Sequence, residues 1–304
     1  MMLATFAASI IEMATPILLA ALGELVVEQS GVINIGIEGG MLAGAFFALA
    51  AAFFTGSLAL GIAAGIAAAV AINALLAIMV VNLAVNQVVA GTALNILALG
   101  ATGVCYGRIF GTTGSAFTIA PLGPLALGPL ARIPFAGPLL FDRNILVYLA
   151  FALVPVTALA IRRTRWGLEL RAAGERPEAA DALGLNVYRI RWQALIIAGV
   201  ATGLAGAYLT LAYTDTFVAG ISAGRGFVAL AVVILGRWNA WGLAAAALLF
   251  GAAMALQFGL QALGTPIPYQ LMLAIPYLLT IVVLAILGGE AWSPSALGEP
   301  YVRS

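Results

Sequence analysis

The sequence predicts an all-α polytopic membrane protein, and three observations carry that prediction. Of 304 residues, 63% are hydrophobic and 8% charged, with a mean hydropathy of +1.11; soluble domains carry about a quarter charged residues and need a polar shell. The apolar residues gather into runs of about 20, the length that crosses a hydrocarbon core as a helix. The cations are also placed unevenly between those runs, as orientation in a membrane requires.

Nine spans follow in order, near 9–27, 38–56, 58–81, 87–109, 144–161, 193–213, 224–236, 240–262 and 269–288. The stretch Met1 to Ala8 lacks the cationic start of a cleavable signal, so the first span is expected to stay in the mature protein. The seventh is too short to cross a core of about 30 Å unaided, so part of its crossing is expected to use non-helical backbone. Arg162, Arg163, Arg165, Arg171, Arg176, Arg189 and Arg191 all lie between the fifth and sixth spans, which makes 162–191 cytoplasmic. Counting outward, the 110–142 connection is an external loop, rich in Pro121, Pro124, Pro129, Pro134 and Pro138 with Arg132 among them. Arg237 falls in a cytoplasmic turn, the C-terminus is cytoplasmic and the N-terminus external. Trp166, Trp192, Trp238 and Trp241 fall at cytoplasmic span ends, as an aromatic belt would.

An internal repeat accounts for the odd number of spans. Gly36-Ile37-Glu38-Gly39-Gly40 resembles Gly220-Ile221-Ser222-Ala223-Gly224, an offset of 184 residues. The same offset carries the first span onto the sixth and the third and fourth close to the eighth and ninth. Five spans separate the copies, so the second is inverted, a transporter signature. The plan is an inverted repeat of ten helices lacking the first, in a single transmembrane domain over 1–304.

Inventory narrows the chemistry. The chain has no His and no Lys, and one thiol, Cys105. Triads, His-based metal sites and Cys pairs are excluded, and so is a phosphate loop ending in Gly-Lys-Ser/Thr. The expectation is a chain that is not an enzyme and has no catalytic or metal-binding residues. Any ATP-driven step must be borrowed from partners.

The stretch from Gly174 to Leu185 is the most informative. Gly174 is expected to break the preceding structure, Pro177 to open a new helix, and Glu175 and Glu178 to offset its N-terminal dipole. Gly184 closes it, giving about eight residues with Ala179, Ala180 and Leu183 able to share one face. A helix so short must pack on something: it is either a linker or a knob that docks in a cytoplasmic partner.

Arg171-Ala172-Ala173-Gly174-Glu175-Arg176-Pro177-Glu178-Ala179-Ala180, followed by Gly184-Leu185-Asn186-Val187, resembles the coupling loop of bacterial ABC importer permeases of the branched-chain amino acid, ribose and nucleoside group. Ala21-Leu22-Gly23-Glu24-Leu25 through Gly39, and Gly224-Arg225-Gly226-Phe227 through Asn239, resemble the same group. The likeness covers nearly the whole chain and is greatest to the shorter permease of simple-sugar or nucleoside importers. It implies a bacterial inner membrane, a second, longer permease, ATP-binding subunits that hold the ATP, and an external substrate-binding lipoprotein. It further implies that Gly174, Glu175, Arg176, Pro177, Glu178, Ala179, Ala180, Leu183 and Gly184 couple the chain to the ATPase. The solute would be a nucleoside or simple sugar, with no role for nucleic acid.

Polar residues in spans are costly unless they face protein or water. Asn34, Glu38, Asn73, Asn86, Gln87, Asn95 and Gln257 are candidates for a pathway or gate, with Asn82 and Gln261 beside them. Asn34 and Glu38 would share a face if helical. The 30–40 segment either lies by the pathway or is a re-entrant turn whose Glu38 caps a helix. Each amide has interhelical bonding as its alternative role. Glu12 and Glu24 lie about 18 Å apart along a helix and do not form a pair. Asp215 and Arg225 flank an external segment and could pair or meet a binding protein. Gly61-x-x-x-Gly65 and Gly199-x-x-x-Gly203 permit close helix contact. The competing reading is an ion-coupled secondary transporter, in which Glu24 or Glu38 titrates.

Overall fold

The computed structural model describes residues 2–111, 118–126, 137, 141–262, 268–287 and 293–302. Pro129, Arg132, Pro134 and Pro138 of the expected external loop lie outside the described residues. The chain is an all-α polytopic membrane protein. Its helices are α1 (Met2–Gln29), α2 (Ile37–Thr55), α3 (Leu58–Ala77), α4 (Gln87–Phe110), α5 (Ile145–Arg163), α6 (Arg165–Glu175), α7 (Pro177–Ala182), α8 (Val187–Tyr208), α9 (Arg225–Leu235), α10 (Ala240–Ala262) and α11 (Tyr269–Leu287). Wider π turns, Ile78–Asn82 and Leu209–Tyr213, extend α3 and α8. Two-residue strands, β1 (Leu125–Ala126) and β2 (Asp142–Arg143), pair antiparallel across the 110–142 connection.

Local chemistry sets the boundaries. The side chains of Ser57, Asn86, Asn144, Thr164 and Asn186 each accept a backbone N–H at the start of α3, α4, α5, α6 and α8. Among the described residues, seven helices are long and apolar enough to cross a membrane, joined by shorter apolar stretches at Arg225–Leu235 and Gln270–Val283. At 11 residues, α9 reaches about 16 Å, as the short seventh run predicts.

The helices α1 and α8 form the buried centre. They pack on one another; α1 also meets α5, α9 and α10, and α8 meets α2 and α3. The α2–α3–α8 contact is built from small residues, as membrane helix packing requires. Both sequence motifs lie in it: Gly61 and Gly65 face α2 at Ala48 and Gly44, while Gly199 and Gly203 face α3 at Val70 and Ile66. At Gly206 a β-carbon would stand 2.2 Å from the Met41 carbonyl oxygen.

Three expectations for the 174–185 segment need correction. Gly174 does not break a helix: it lies inside α6, buried, where a β-carbon would come within 2.3 Å of the Gln29 carbonyl oxygen. The break falls at Arg176 (φ −147°), because Pro177 excludes the helical conformation from the residue before it. The following helix, α7, has six residues rather than eight. Ala179, Ala180 and Leu183 do not share one face: Ala180 is buried beside Pro177, whereas Ala179 is exposed and Leu183 is 85% exposed.

Gly206→Ala should destabilise the fold by about 1–3 kcal/mol, because neither facing backbone can yield. Gly100→Ala, whose β-carbon meets nothing within 4 Å, should be neutral or gain up to about 1 kcal/mol. Melting of the detergent-solubilised protein, read by size-exclusion peak height, compares the two.

Candidate functional site

The sequence Ser30-Gly31-Val32-Ile33-Asn34 cannot extend α1. Gly31 takes φ +85°, and the chain runs without helix until Ile37. This leaves donors and acceptors that hydrocarbon cannot satisfy. Side chains from three helices supply the partners. Glu24 Oε1 on α1 accepts from Asn34 N at 2.9 Å, and Gln87 Oε1 on α4 accepts from Ile33 N at 2.7 Å. Asn95 on α4 accepts from Gly39 N at 2.7 Å and donates to the Ile35 carbonyl at 2.8 Å. Asn34 Nδ2 donates to Asn73 Oδ1 on α3 at 2.8 Å, and Asn73 Nδ2 donates to the Ala69 carbonyl. Asn34, Asn73 and Gln87 are buried, so four of the sequence candidates form one latch on the loop. Asn34 is not helical and shares no helix face with Glu38, because the chain enters α2 only at Ile37.

A second break precedes α9. Asp215, Gly220, Ala223 and Gly224 all take positive φ between α8 and α9. The Glu38 carboxylate spans this junction: Oε1 accepts from Gly224 N at 2.8 Å and Oε2 from Gly226 N at 2.7 Å. An anion against free N–H groups at a helix start meets the positive end of its dipole. The helix capped is thus not Glu38's own but one 186 positions further along. Gly226 is required here, since a β-carbon would fall 2.7 Å from the Glu38 backbone. Arg225 turns back to the Ile221 and Ser222 carbonyls, with its guanidinium over the Tyr213 ring.

Two cavities flank the second break and share Ala223 in their walls. One of about 280 Å³ is lined by Glu38, Asn95, Ser222 and Phe227. The other, of about 230 Å³, is lined by Arg225, Met254, Gln257, Phe258 and Pro276. Gln257 is therefore on a cavity wall and Gln261 is half-buried one turn on. Asn86 and Asn82 lie apart from both: Asn86 caps α4, and Asn82 accepts from the Trp192 indole.

At the end of the bundle carrying α6 and α7, the tryptophans act as polar ties. Trp166 donates to Gln193 and Trp238 to Glu28, while Trp241 is exposed. Between α6 and α8, α7 stands out with Gly184 at φ +87° closing it, and Glu178, Ala179 and Leu183 exposed.

Sequence reasoning missed four residues. Glu28 follows Glu24 by one helical turn, and that spacing was its signal. Thr202 faces Asn73 at 3.5 Å and looks in sequence like any small residue. Arg143 pairs with Glu12 near the β1–β2 strands, without a local signal. Arg191 counts as a surface cation by its position but is 1% exposed.

Residues 6–284 match the family described as branched-chain amino acid transport system / permease component. The nucleoside ABC transporter permease protein NupC of Lactococcus lactis is 36% identical over 299 residues, 95% of this chain and 94% of that protein. The guanosine ABC transporter permease protein NupQ of Bacillus subtilis is also 36% identical over 299 residues, with the same coverage. The putative glucose ABC transporter permease protein TsgC13 of Haloferax volcanii is 36% identical over 320 residues, 96% of this chain and 96% of that protein. No solved structure matches the chain. The chain belongs to this permease family.

Glu38→Gln should separate the clasp from mere bulk. It sets an amide donor against one of two N–H donors, a loss of about 1–3 kcal/mol. The melting midpoint should fall, and Glu38→Ala should lower it further.

Proposed function

We propose that this chain is the passive permease half of an ATP-driven importer that moves nucleosides, or failing those simple sugars, inward across a bacterial plasma membrane. The observation that carries the reading is likeness over nearly the full chain to two permeases whose names give a nucleoside and guanosine. Membership of an ABC permease family implies partner ATPase subunits and a second permease. ATP binds to the former, and this chain contributes no catalytic group. The longer permease and an external binding lipoprotein complete the assembly.

The exposed part of α7, with Glu175, Arg176, Glu178, Ala179 and Leu183, is the surface offered to the ATPase. Pro177, Ala180 and Gly174 hold it in place, and Gly184 ends it. Its exposed leucine supports this: an apolar side chain 85% exposed at the tip of a short helix fits a cleft in a partner. With α7 cytoplasmic, the 110–142 loop and the N-terminus are external and the C-terminus is cytoplasmic, in line with the arginine placement.

Nine crossings built from an inverted repeat of a ten-helix plan fit the packing. Pairing α1–α4 with α8–α11 makes contacts reciprocal: α1 on α10 answers α8 on α3, and α1 on α9 answers α8 on α2. Likewise α2 on α4 answers α9 on α11. The α2 and α9 starts then meet inside the bundle, where discontinuous helices place solute sites.

The gate in this reading is the 30–36 loop with Asn34, Asn73, Gln87 and Asn95. Glu24 Oε2, Asn34 Oδ1 and Gln87 Nε2 are buried there without a hydrogen-bond partner among the described residues. Bonds left unmade lower the cost of exchanging partners as the loop moves. The cavities at Glu38 and Gln257 are the pathway sections this chain supplies; neutral amides suit a polyhydroxyl or nucleoside solute.

The decisive experiment expresses the chain with the ATPase, longer permease and lipoprotein encoded beside it, and measures nucleoside uptake into proteoliposomes. Uptake should require ATP inside, and deletion of 175–184 should abolish both uptake and ATPase copurification with the fold intact. Ion-gradient-driven accumulation by this chain alone would instead establish the secondary-transporter reading.

A further inference from the structure

Residues 293–302 are bound to the bundle far more closely than a surface tail needs. Ala296 N donates to the Gly174 carbonyl at 3.0 Å, and Gly298 N donates to the Gly31 carbonyl at 3.0 Å. The Ser295 hydroxyl donates to Glu175 Oε2 at 2.7 Å. Pro294, Ala296 and Tyr301 are buried. Arg191 on α8 joins the segment to the end of α1: Nη1 donates to the Glu299 carbonyl and Nε to the Ser30 carbonyl, both at 3.3 Å. Its guanidinium also lies 5.9 Å from the centre of the Tyr301 ring, which packs on Tyr188. A desolvated cation over an aromatic face is a strong local tie.

What these contacts join is the point. Gly174 and Glu175 are the last turn of α6, immediately before α7. Ser30 and Gly31 begin the loop latched by Glu24, Asn73, Gln87 and Asn95. Tyr188 and Arg191 open α8, immediately after the α7 segment. At Gly31 the three come so close that a β-carbon would lie 3.2 Å from both the Ala296 carbonyl and Gly174 Cα. At six residues, α7 has little helical stability of its own and depends on what it is fastened to. Fastened through α6 to this segment, they have a stiff connection to the loop.

We propose that 293–302 is a strap that ties the α6–α7 unit to the 30–36 loop, with Arg191 and Tyr301 as positioning residues that make ATPase movement at α7 reach the gate. This rests on the reading of α7 as the ATPase contact. Coupling of this kind needs a packed element that moves with both sites. The strap touches both and leaves Leu183 uncovered.

The test uses the complete transporter in proteoliposomes, with Tyr301→Ala, Tyr301→Phe and Ser295→Ala. Tyr301→Ala should keep the ATPase bound and hydrolysing while solute moved per ATP falls about two- to thirtyfold. Tyr301→Phe keeps the ring over Arg191 and should restore that ratio. Ser295→Ala lies at the exposed edge, cannot disturb the core, and should lower the ratio by a smaller factor. An unchanged ratio in both Tyr301→Ala and Ser295→Ala, with the ATPase bound, would overturn the strap. So would loss of assembled complex in Tyr301→Ala with a normal ratio both in the complexes that remain and in Ser295→Ala. An error in the α7 reading would show separately, as an ATPase that stays bound when 175–184 are deleted.

Discussion

Backbone that leaves a helix inside a membrane must find its partners within the protein, and this structure is organised around meeting that demand twice. Each stranded group costs several kcal/mol in hydrocarbon. The first break, before α2, is met by Glu24, Gln87 and Asn95; the second, before α9, is met by Glu38. Glu24, Asn34, Glu38, Asn73, Gln87 and Asn95 are thus gathered at the two places where the helices stop. Removing any one takes from the loop or the α9 start the acceptor it now uses, so the positions constrain one another.

Satisfying the breaks also demands close approach. Glu38 reaches Gly224 and Gly226 only because α2 and α9 nearly touch, and Gly226 has no side chain to keep them apart. The α2–α3–α8 contact around Gly44, Gly65 and Gly203 serves the same end by bringing α3 near enough for Asn73 to meet Asn34. Small residues thus do more than pack: they set the distances over which short side chains such as Asn can bridge. The rest of the bundle is looser, with α4 and α5 largely exposed at their outer faces.

Much of this was legible in the sequence, and the remainder was hidden for definite reasons. Span limits were readable because run length and caps are local: 240–262 and 87–109 need only an apolar count and a terminating residue. The start of α7 was readable from Pro177, and Gly184 marked the turn that follows it, though the helix itself stops at Ala182. Gly174 misled because a helix-breaking residue and a residue admitting a neighbouring carbonyl look the same in sequence; Gln29 decides between them, and it lies 145 positions away. Glu38 was recognised as a capping candidate, but its helix could not be named from local spacing. Arg191 was concealed by its company: among seven arginines in one connection, nothing local marks the one that is buried. Tyr301 gave no signal, since a tail after the last span has no periodicity to read.

The placement of the buried charge then bears on how such a bundle moves. At 1% exposure, Arg191 has two carbonyls and an aromatic face in place of water, and its Nη2 has no hydrogen-bond partner among the described residues. Arg191 holds that environment only while α1's end, α8's start and the 293–302 segment stay together, because each supplies one part of it. Separating any of the three would leave a cation buried and unmatched, a larger penalty than losing one neutral hydrogen bond. That penalty favours motion of the three as a unit. The latched loop beyond Gly31 is then the first place where displacement is cheap, since its neutral amides can exchange partners at small cost. The packed base and the latched loop thus meet at Gly31, with Asn34 and the Glu38 clasp on the loop's far side.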